Sequence, residues 1–393
     1  MASRTTATRL DSPPFAPFYA GFVIAGMATV LLGPILPVLS ARWSLTDFQA
    51  GSLFATQFTA STVGAILASH FRRGCLLFGY ASVAAGLAAL ALGDYGIVVL
   101  AFALVGVGLG SATTATNLTF GTERPEHRGA MLTRVNLFWG IGAVSCPPFV
   151  SAAVGPGTLR LLLLVLSFSA LAVFAALTFV LWRQNGEEEQ DWKSRSHPTR
   201  RLSPPTFFLF SLLLFLYVGA ETSISGWIAT YIHRFDSLTT ERSSLYVSAF
   251  WIAIVLGRAI TPVLVKRVSE FAVLMAGLLA ALAGMSVLLF PQGIYISLAA
   301  VALAGLGCAP IFPLAVARLL SRIGFSRHLG WIFAICGSGG AALPWATGLY
   351  SAHLGSLRSA FIVPLTAMGG VLVLALIERA LPVAYSEPHA VLP

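Results

Sequence analysis

One acidic residue, Glu221, lies near the middle of the long hydrophobic run Phe207–Ile232. A carboxylate at the centre of a bilayer costs about 3 kcal/mol on insertion scales, and such groups usually line a pathway. The side chain must therefore face water, hold a partner or carry a proton. Tyr217 and Ser225 are spaced by four residues on either side and share its helical face. This pattern predicts a polar site and a proton-coupling group at Glu221, with hydrogen bonding to a neighbouring helix as the structural alternative.

Amide and aromatic side chains on other apolar runs have the chemistry of a site for an uncharged polyol. Gln57 lies on a polar stripe, and Asn136 and Trp139 share one segment; Trp227 and Trp251 are further aromatic candidates. An amide both donates to and accepts from a hydroxyl, and an aromatic ring packs on the apolar face of a pyranose. Hydrogen bonds between helices for the amides, and packing or an interfacial position for the tryptophans, remain open alternatives.

Three arginines are candidates for gating rather than for ligand contact. Arg72 and Arg73 are adjacent just after one apolar run, and Arg258 follows Gly257 close to the end of another. Arg258 could extend to the membrane interface, or it could close a cytoplasmic gate by pairing across the two halves. The four cysteines show no CxxC spacing and the seven histidines show no ligand spacing, so we expect no metal site. We also expect no cofactor, and the absence of a phosphate loop argues against ATP hydrolysis.

The composition is that of an integral membrane protein. Of the 393 residues, 57% are hydrophobic and 10% are charged, and the mean hydropathy is +0.83. A soluble domain of this length could not cover itself with so little charge. The net charge of +9 is scattered among short polar segments, which excludes a nucleic-acid surface and indicates membrane topology instead. The partner that this composition requires is the lipid bilayer.

The apolar runs divide into twelve spans, each long enough for a helix across roughly 30 Å of hydrocarbon. The spans are Phe18–Ser40, Phe48–Ser69, Cys75–Leu92, Tyr95–Leu118, Met131–Val154, Leu161–Trp182, Phe207–Ile232, Leu245–Val265, Phe271–Phe290, Ile294–Leu320, Trp331–Tyr350 and Ser359–Ala380. The longest polar stretch separates six spans from six. It predicts an N-terminal bundle over 1–182, a cytoplasmic linker over 183–205 and a C-terminal bundle over 206–393.

The distribution of basic residues and an internal repeat support this arrangement. Twelve spans place nineteen of the 24 Lys and Arg residues on one side, which predicts that both termini are cytoplasmic. Gly108–Leu109–Gly110 recurs as Gly305–Leu306–Gly307, and Pro147 recurs as Pro344, both at an offset of 197. Two matches at one offset indicate a duplicated unit of six helices.

Several of these motifs resemble those of a known family. Gly64, Arg72 and Arg73 match part of the loop motif of the major facilitator superfamily, although Ala68 replaces its acid. The segment 219–228, GAETSISGWI, is similar to the seventh helix of sugar carriers in the fucose permease-like branch. The resemblance implies an all-α membrane protein of twelve transmembrane helices in two pseudo-symmetric six-helix bundles. The first and fourth spans lack the acids of proton-coupled fucose carriers, so proton coupling by that route is not expected.

We therefore expect a monomeric secondary transporter of the inner or plasma membrane that works by alternating access. A sugar or polyol is the leading substrate, carried either passively or with a proton on Glu221. The segment 142–147, GAVSCP, resembles the drug antiporter motif, so a proton-coupled efflux carrier for drugs or amphiphiles is the nearest rival interpretation. Two more distant hypotheses are a non-transporting receptor and a membrane enzyme, which would need a nucleophile or a metal cluster within the spans.

Overall fold

The computed structural model describes residues 15–93, 95–123, 128–183, 203–290, 293–323 and 328–381, and this part of the chain folds into fifteen α-helices. Most of the predicted linker, 184–202, lies outside the described residues. The helices are α1 (Ala16–Val30), α2 (Leu32–Trp43), α3 (Asp47–His70), α4 (Arg72–Leu92), α5 (Tyr95–Glu123), α6 (Arg128–Ala152), α7 (Pro156–Arg183), α8 (Pro204–Phe235), α9 (Thr240–Leu264), α10 (Glu270–Val287), α11 (Ile294–Cys308), α12 (Ile311–Ile323), α13 (His328–Leu354), α14 (Leu357–Ala360) and α15 (Ile362–Ala380).

Prolines explain why fifteen helices correspond to twelve predicted spans. A proline has no backbone N–H for the carbonyl four residues earlier, and its ring crowds that carbonyl. Pro34 follows the junction of α1 and α2, which are bent by 43°. Pro310 lies at the junction of α11 and α12, and Pro364 follows that of α14 and α15. Each of these helix pairs occupies one predicted span, so the first, tenth and twelfth spans are interrupted helices.

Length and composition identify most of these spans independently. In the described part of the chain, ten helices are long and apolar enough to cross a membrane, or up to eleven if the bent pair α1 and α2 counts as one span. Helix α3 is not among them although it has 24 residues. Its apolar residues are interrupted by polar ones such as Gln57 and Ser61, which face the interior of the molecule. The predicted all-α membrane fold is confirmed.

Glycines set the crossings between helices in the first half. A Cβ on Gly86 of α4 would meet the Ala101 carbonyl and the Val105 amide of α5. A Cβ on Gly142 of α6 would meet the Val23 carbonyl of α1. Backbones this close exclude any side chain larger than hydrogen, which is how small residues drive helix association in membranes.

The second half repeats both crossings. A Cβ on Gly284 of α10 would meet the Ala300 carbonyl and the Ala304 amide of α11, and one on Gly339 of α13 would meet the Phe215 carbonyl of α8. The pair α10 and α11 thus repeats α4 and α5, and the pair α8 and α13 repeats α1 and α6. The two halves therefore share one packing scheme, as a duplicated six-helix unit requires.

The alignment of the tenth span with the fourth differs by two residues from the sequence match. A Cβ on Gly106 would meet the Gln57 carbonyl of α3, and one on Gly305 would meet the Phe250 carbonyl of α9, which is the equivalent crossing. Gly305 therefore takes the place of Gly106 rather than that of Gly108. Glycine recurs at every second position of this segment, so the two glycines of the later triplet align equally well in either register.

The halves meet through α3 against α13, α6 against α9 and α2 against α8. Gly33 of α2 lies against the Ser225 carbonyl of α8, and Gly51 of α3 lies against the backbone of Trp345. The side where α2 ends, α3 begins and α8 ends includes the contact of Gly51 with Trp345, and we call this side of the molecule the closed end. The opposite side, where α5 ends and α6 begins, is called the open end.

Candidate functional site

A cavity of about 350 Å³ lies between the two halves. Its volume is within the roughly 300–1,000 Å³ range that is typical of small-molecule sites. The wall combines aromatic, aliphatic, amide, hydroxyl and charged side chains from both halves. It is lined by Phe22, Thr29, Gln57, Phe58, Ser61, Leu109, Thr113, Asn117, Asn136, Trp139, Val218, Glu221, Arg258 and Phe312. Asn117 is near the end of α5, so the cavity extends from the middle of the molecule toward the open end.

Glu221 borders this cavity from α8. Its Oε1 accepts a hydrogen bond from the Tyr217 hydroxyl at 3.1 Å, one helical turn away. The same oxygen is 3.4 Å from the Arg258 guanidinium on α9, with which it forms an ion pair. The cost of placing a carboxylate inside the membrane is thus offset by one charged partner, one hydroxyl and contact with the cavity.

The Tyr217 hydroxyl joins Glu221 to the interrupted tenth span. It lies 2.9 Å from the Cys308 carbonyl, the last residue of α11, as well as 3.1 Å from Glu221. A hydroxyl carries one proton, so it cannot donate to both oxygens while Glu221 is ionised. When Glu221 is protonated, it can donate to Tyr217, and Tyr217 can then donate to Cys308. A proton on Glu221 therefore satisfies both oxygen contacts of the Tyr217 hydroxyl.

The first half supplies the amide side of the cavity. Gln57 donates to the Thr29 carbonyl at 3.3 Å, while its Oε1 is buried without a partner among the described residues. Asn136 donates to the Leu132 carbonyl at 2.8 Å on its own helix. Asn117 presents a second amide oxygen without a partner in the described part of the chain. Three amide side chains of the first half thus line the cavity, and two of them have buried oxygens without a partner among the described residues.

Two tryptophans mark where the halves touch beside the cavity. Trp139 lines the cavity from α6 and packs edge-on against Trp251 of α9, with ring centroids 5.2 Å apart. Trp251 is buried behind it and does not line the cavity, and its indole N–H has no partner among the described residues. This pair continues toward the closed end, where Ser248 donates to the Val144 carbonyl at 3.1 Å.

Two further candidates on α8 lie in packed surroundings instead. Ser225 donates to the Thr222 carbonyl at 3.3 Å, and its own backbone lies against Gly33. Trp227 is fully buried, donates to the Pro344 carbonyl at 3.0 Å and contacts Phe54 across the two halves. The structure thus brings Gln57, Asn136, Trp139 and Glu221 together around the cavity, and it places Ser225, Trp227 and Trp251 in the contacts beside it.

The three candidate gating arginines occupy two different places. Arg258 lines the cavity wall and, among the described residues, pairs with Glu221 of the same half and not with a residue across the two halves. Arg72 and Arg73 begin α4 at the open end, outside the cavity lining. The Nη2 atom of Arg73 is buried without a partner in the part of the chain that the structure describes. A gating role for all three stays a prediction.

An ionic network across the closed end was not predicted from the sequence. Arg234, at the end of α8, donates to both carboxylate oxygens of Asp47, at the start of α3, at 2.9 and 2.7 Å. Ser351 of α13 donates to the same carboxylate. Asp47 belongs to the first half, whereas Arg234 and Ser351 belong to the second. This network therefore holds the two halves together on the side away from the opening.

Comparisons with known proteins agree with this architecture. The profile described as Major Facilitator Superfamily matches residues 18–326. The putative glucose/galactose transporter of Helicobacter pylori is 23% identical over 385 residues, covering 90% of this chain and 94% of that protein. The glucose/mannose transporter GlcP of Bacillus subtilis is 22% identical, covering 76% and 77%. The yeast protein named Bypass of stop codon protein 6 is 24% identical, covering 85% and 76%.

Solved structures share the same fold. The transporter FucP in its outward conformation superposes with a TM-score of 0.62 at 20% identity, covering 93% of this chain and 98% of that one. A bacterial homologue of the human lysosomal transporter Spinster, inward-facing and unoccupied, gives a TM-score of 0.68 at 14% identity, covering 93% and 95%. The resemblance to the fucose permease-like carriers and the two-bundle architecture are thereby confirmed.

Proposed function

Because the chain belongs to the major facilitator superfamily of transporters, we propose that it carries a sugar or a related polyol across the plasma membrane by alternating access. The observation that carries the proposal is the cavity between the halves, which combines amides, aromatic rings and one ion pair. The glucose, galactose and mannose named for its relatives are hydroxyl-rich solutes of matching size. Trp139 and Phe312 offer apolar faces, and Gln57, Asn117 and Asn136 line the cavity with amides, which both donate to and accept from hydroxyl groups.

The proposed cycle moves the two halves about this cavity. The closed end is the extracytoplasmic side if the termini are cytoplasmic, as the basic residues predict. The described state would then expose the cavity to the cytoplasm. Opening the other side requires the Asp47–Arg234 contact to break and the contacts of α6 with α9 to rearrange. Alternating access in this superfamily is rocking of one bundle against the other around a fixed site.

Glu221 is the proposed proton-coupling group. It is the acid that lines the cavity in the described part of the chain, and water in the cavity gives it a route for a proton. The single hydroxyl proton of Tyr217 also favours the protonated form of the cluster, because only that form satisfies both of its oxygen contacts. Protonation would weaken the ion pair with Arg258 and release that side chain toward the cavity.

The test is transport by the full-length protein in liposomes. Counterflow of labelled hexoses, hexitols and hexuronates is expected, and lipophilic cations should not compete. An imposed pH gradient should drive accumulation of at least one of these solutes. In Glu221→Gln the gradient should no longer drive accumulation, while exchange persists. The matched control is Glu241→Gln, which removes an exposed acid at the start of α9.

Two results would overturn parts of this proposal. Absence of flux for every sugar in the panel, together with transport of a lipophilic cation, would support the efflux carrier instead. Sugar accumulation that still follows the pH gradient in Glu221→Gln would remove Glu221 from the coupling mechanism and leave the sugar carrier intact.

A further inference from the structure

The charged side chains that line the cavity, among the residues the structure describes, are Glu221 and Arg258. Their contact is a single one of 3.4 Å. The pair Asp47 and Arg234 in the same molecule is bidentate at 2.9 and 2.7 Å, which is the geometry expected when a guanidinium is fully matched to its own carboxylate. Glu221 therefore holds Arg258 through one long contact instead of two short ones.

Arg258 has at least one hydrogen-bond donor without a partner among the described residues. Its Nε is buried and has no partner in the described part of the chain, while 39% of the side chain is exposed. A guanidinium presents five N–H donors in a planar fork that fits a carboxylate in two parallel hydrogen bonds. A buried donor without a partner costs free energy, which favours a shift of the side chain toward an acceptor. The exposed part of this guanidinium can donate to an anionic acceptor that a substrate brings.

If a second negative charge binds Arg258, Glu221 is the nearby group that would take up a proton. Besides Arg258, the groups facing it are the Tyr217 hydroxyl on its own helix, Cys308 at the end of α11 and Cys336 on α13. The described residues that line the cavity from the first half are uncharged. A carboxylate that bound Arg258 would thus lie close to Glu221 with one cation between them.

We infer that the cavity takes a sugar acid, a hydroxyl-rich solute of sugar size whose carboxylate binds Arg258, and that Glu221 takes up a proton when this substrate binds. The inference rests on the proposed function and narrows its substrate class. Two carboxylates beside one guanidinium in a cavity inside the membrane repel each other, which favours the uptake of a proton from water by one of them. Protonated Glu221 then donates to Tyr217, which donates to Cys308, and Arg258 is left to the substrate.

The charge balance gives this inference a distinct signature. The empty site holds one negative and one positive side chain, so it is neutral. The loaded site holds the substrate anion, the Arg258 cation and a neutral Glu221, so it is also neutral. One anion and one proton cross together, and no net charge moves. A neutral sugar carried with one proton would instead move one positive charge per cycle and respond to the membrane potential.

The experiment measures labelled glucuronate and labelled glucose in proteoliposomes whose membrane potential is clamped with potassium and valinomycin. Glucuronate accumulation should rise about tenfold for each unit of pH difference, as one-to-one coupling requires. It should stay unchanged when the potential is stepped by about 100 mV at a constant pH difference. Unlabelled glucuronate should displace glucose from the site, and the methyl ester, which lacks the charge, should compete more weakly.

Variants separate the two charged residues. Arg258→Gln should lower glucuronate flux about tenfold or more, since a hydrogen bond to a charged group is lost, and Arg258→Lys should restore part of it. Glu221→Gln should keep glucuronate exchange, but each anion now carries its charge across. Its equilibrium accumulation should then change about 50-fold per 100 mV. Arg242→Gln, which removes an exposed arginine at the start of α9, is the matched control and should behave as the parent.

The outcomes are distinct. Glucose counterflow without glucuronate flux overturns this inference and leaves the proposed function standing. Glucuronate accumulation that follows the membrane potential in the parent protein also overturns it, because the transported complex would then be charged. Absence of flux for both solutes and for every other sugar in the panel overturns the proposed function as well.

Discussion

The contact between Asp47 and Arg234 lets us estimate the free energy that holds the closed end shut. Arg234→Gln removes the guanidinium that bridges α8 to Asp47 of α3 in the other half. The side chains are 35% and 12% exposed, so the pair is partly screened by water. Exposed ion pairs contribute about 0.2–1 kcal/mol, and hydrogen bonds to charged groups about 1.5–3 kcal/mol. A value of about 1–2 kcal/mol is therefore reasonable for this contact.

This free energy acts on the balance between the two states of the cycle. The contact exists only when this end is closed, and water replaces it when the halves separate. Losing about 1–2 kcal/mol changes the ratio of the two states by about 5- to 30-fold in favour of the state open at this end. Asp47→Asn should act in the same direction, since the amide keeps one acceptor for Ser351 but no charge for Arg234.

Spin labels across the closed end measure this shift. Ala41 at the end of α2 and Ala352 at the end of α13 are exposed on opposite halves. Double electron–electron resonance on cysteines at these sites should show a longer-distance population that grows in Arg234→Gln. The matched control is Arg242→Gln, an exposed arginine near the same end.

Three results bear on the reasoning. A distance distribution in Arg234→Gln that matches both the parent and the control would refute the assignment of a lock. An exchange of charges in Asp47→Arg with Arg234→Asp should return the distribution toward that of the parent. A double-mutant cycle on the populations then gives the coupling energy directly.

Two further predictions concern a close helix contact and a buried ion pair. Gly33→Val should shift the same distance distribution toward the longer population, because a side chain there would collide with the Ser225 carbonyl of the other half. Gly369→Val is the control, because a side chain at that position meets open space. Equal distributions in the two variants would show that the Gly33 contact does not hold the halves together. Glu378→Gln should lower the thermal midpoint in detergent, because it leaves two arginines of α12 without their buried carboxylate, at a cost of about 3–5 kcal/mol. The exposed Glu270→Gln is its control, and an unchanged midpoint would show that the network contributes little.

Local chemistry made much of the fold predictable from the sequence. Apolar length gave the spans, because a bilayer imposes one length on every helix that crosses it. The interruptions of the first and tenth spans follow from Pro34 and Pro310, whose rings cannot continue the hydrogen-bond ladder. The polar stripe through Gln57 marked α3 as a helix that faces the interior. It is also why α3 is too polar to count as a span by composition.

Contacts between the halves could not be predicted in the same way. Asp47 and Arg234 are 187 residues apart, and either one alone reads as an ordinary charge at the end of a span. The pairing of Arg258 with Glu221 was missed for a related reason. The position of Arg258 near the end of the eighth span suggested that its side chain reaches the membrane interface. In the structure, α9 crosses α8 so that the guanidinium reaches the cavity. Such pairings depend on the docking of helices that are distant in the chain, which no local pattern encodes.

Helix α8 connects the cavity with the closed end. Glu221 and Arg234 are thirteen residues apart on this one helix, which corresponds to roughly 20 Å along its axis. Between them, Trp227 packs against Phe54 of the other half. A rigid helix cannot rotate or tilt at Glu221 without displacing Arg234 from Asp47. A ligand that tilts or rotates α8 when it changes the partners of Glu221 would therefore also act on the contact that keeps the far side shut.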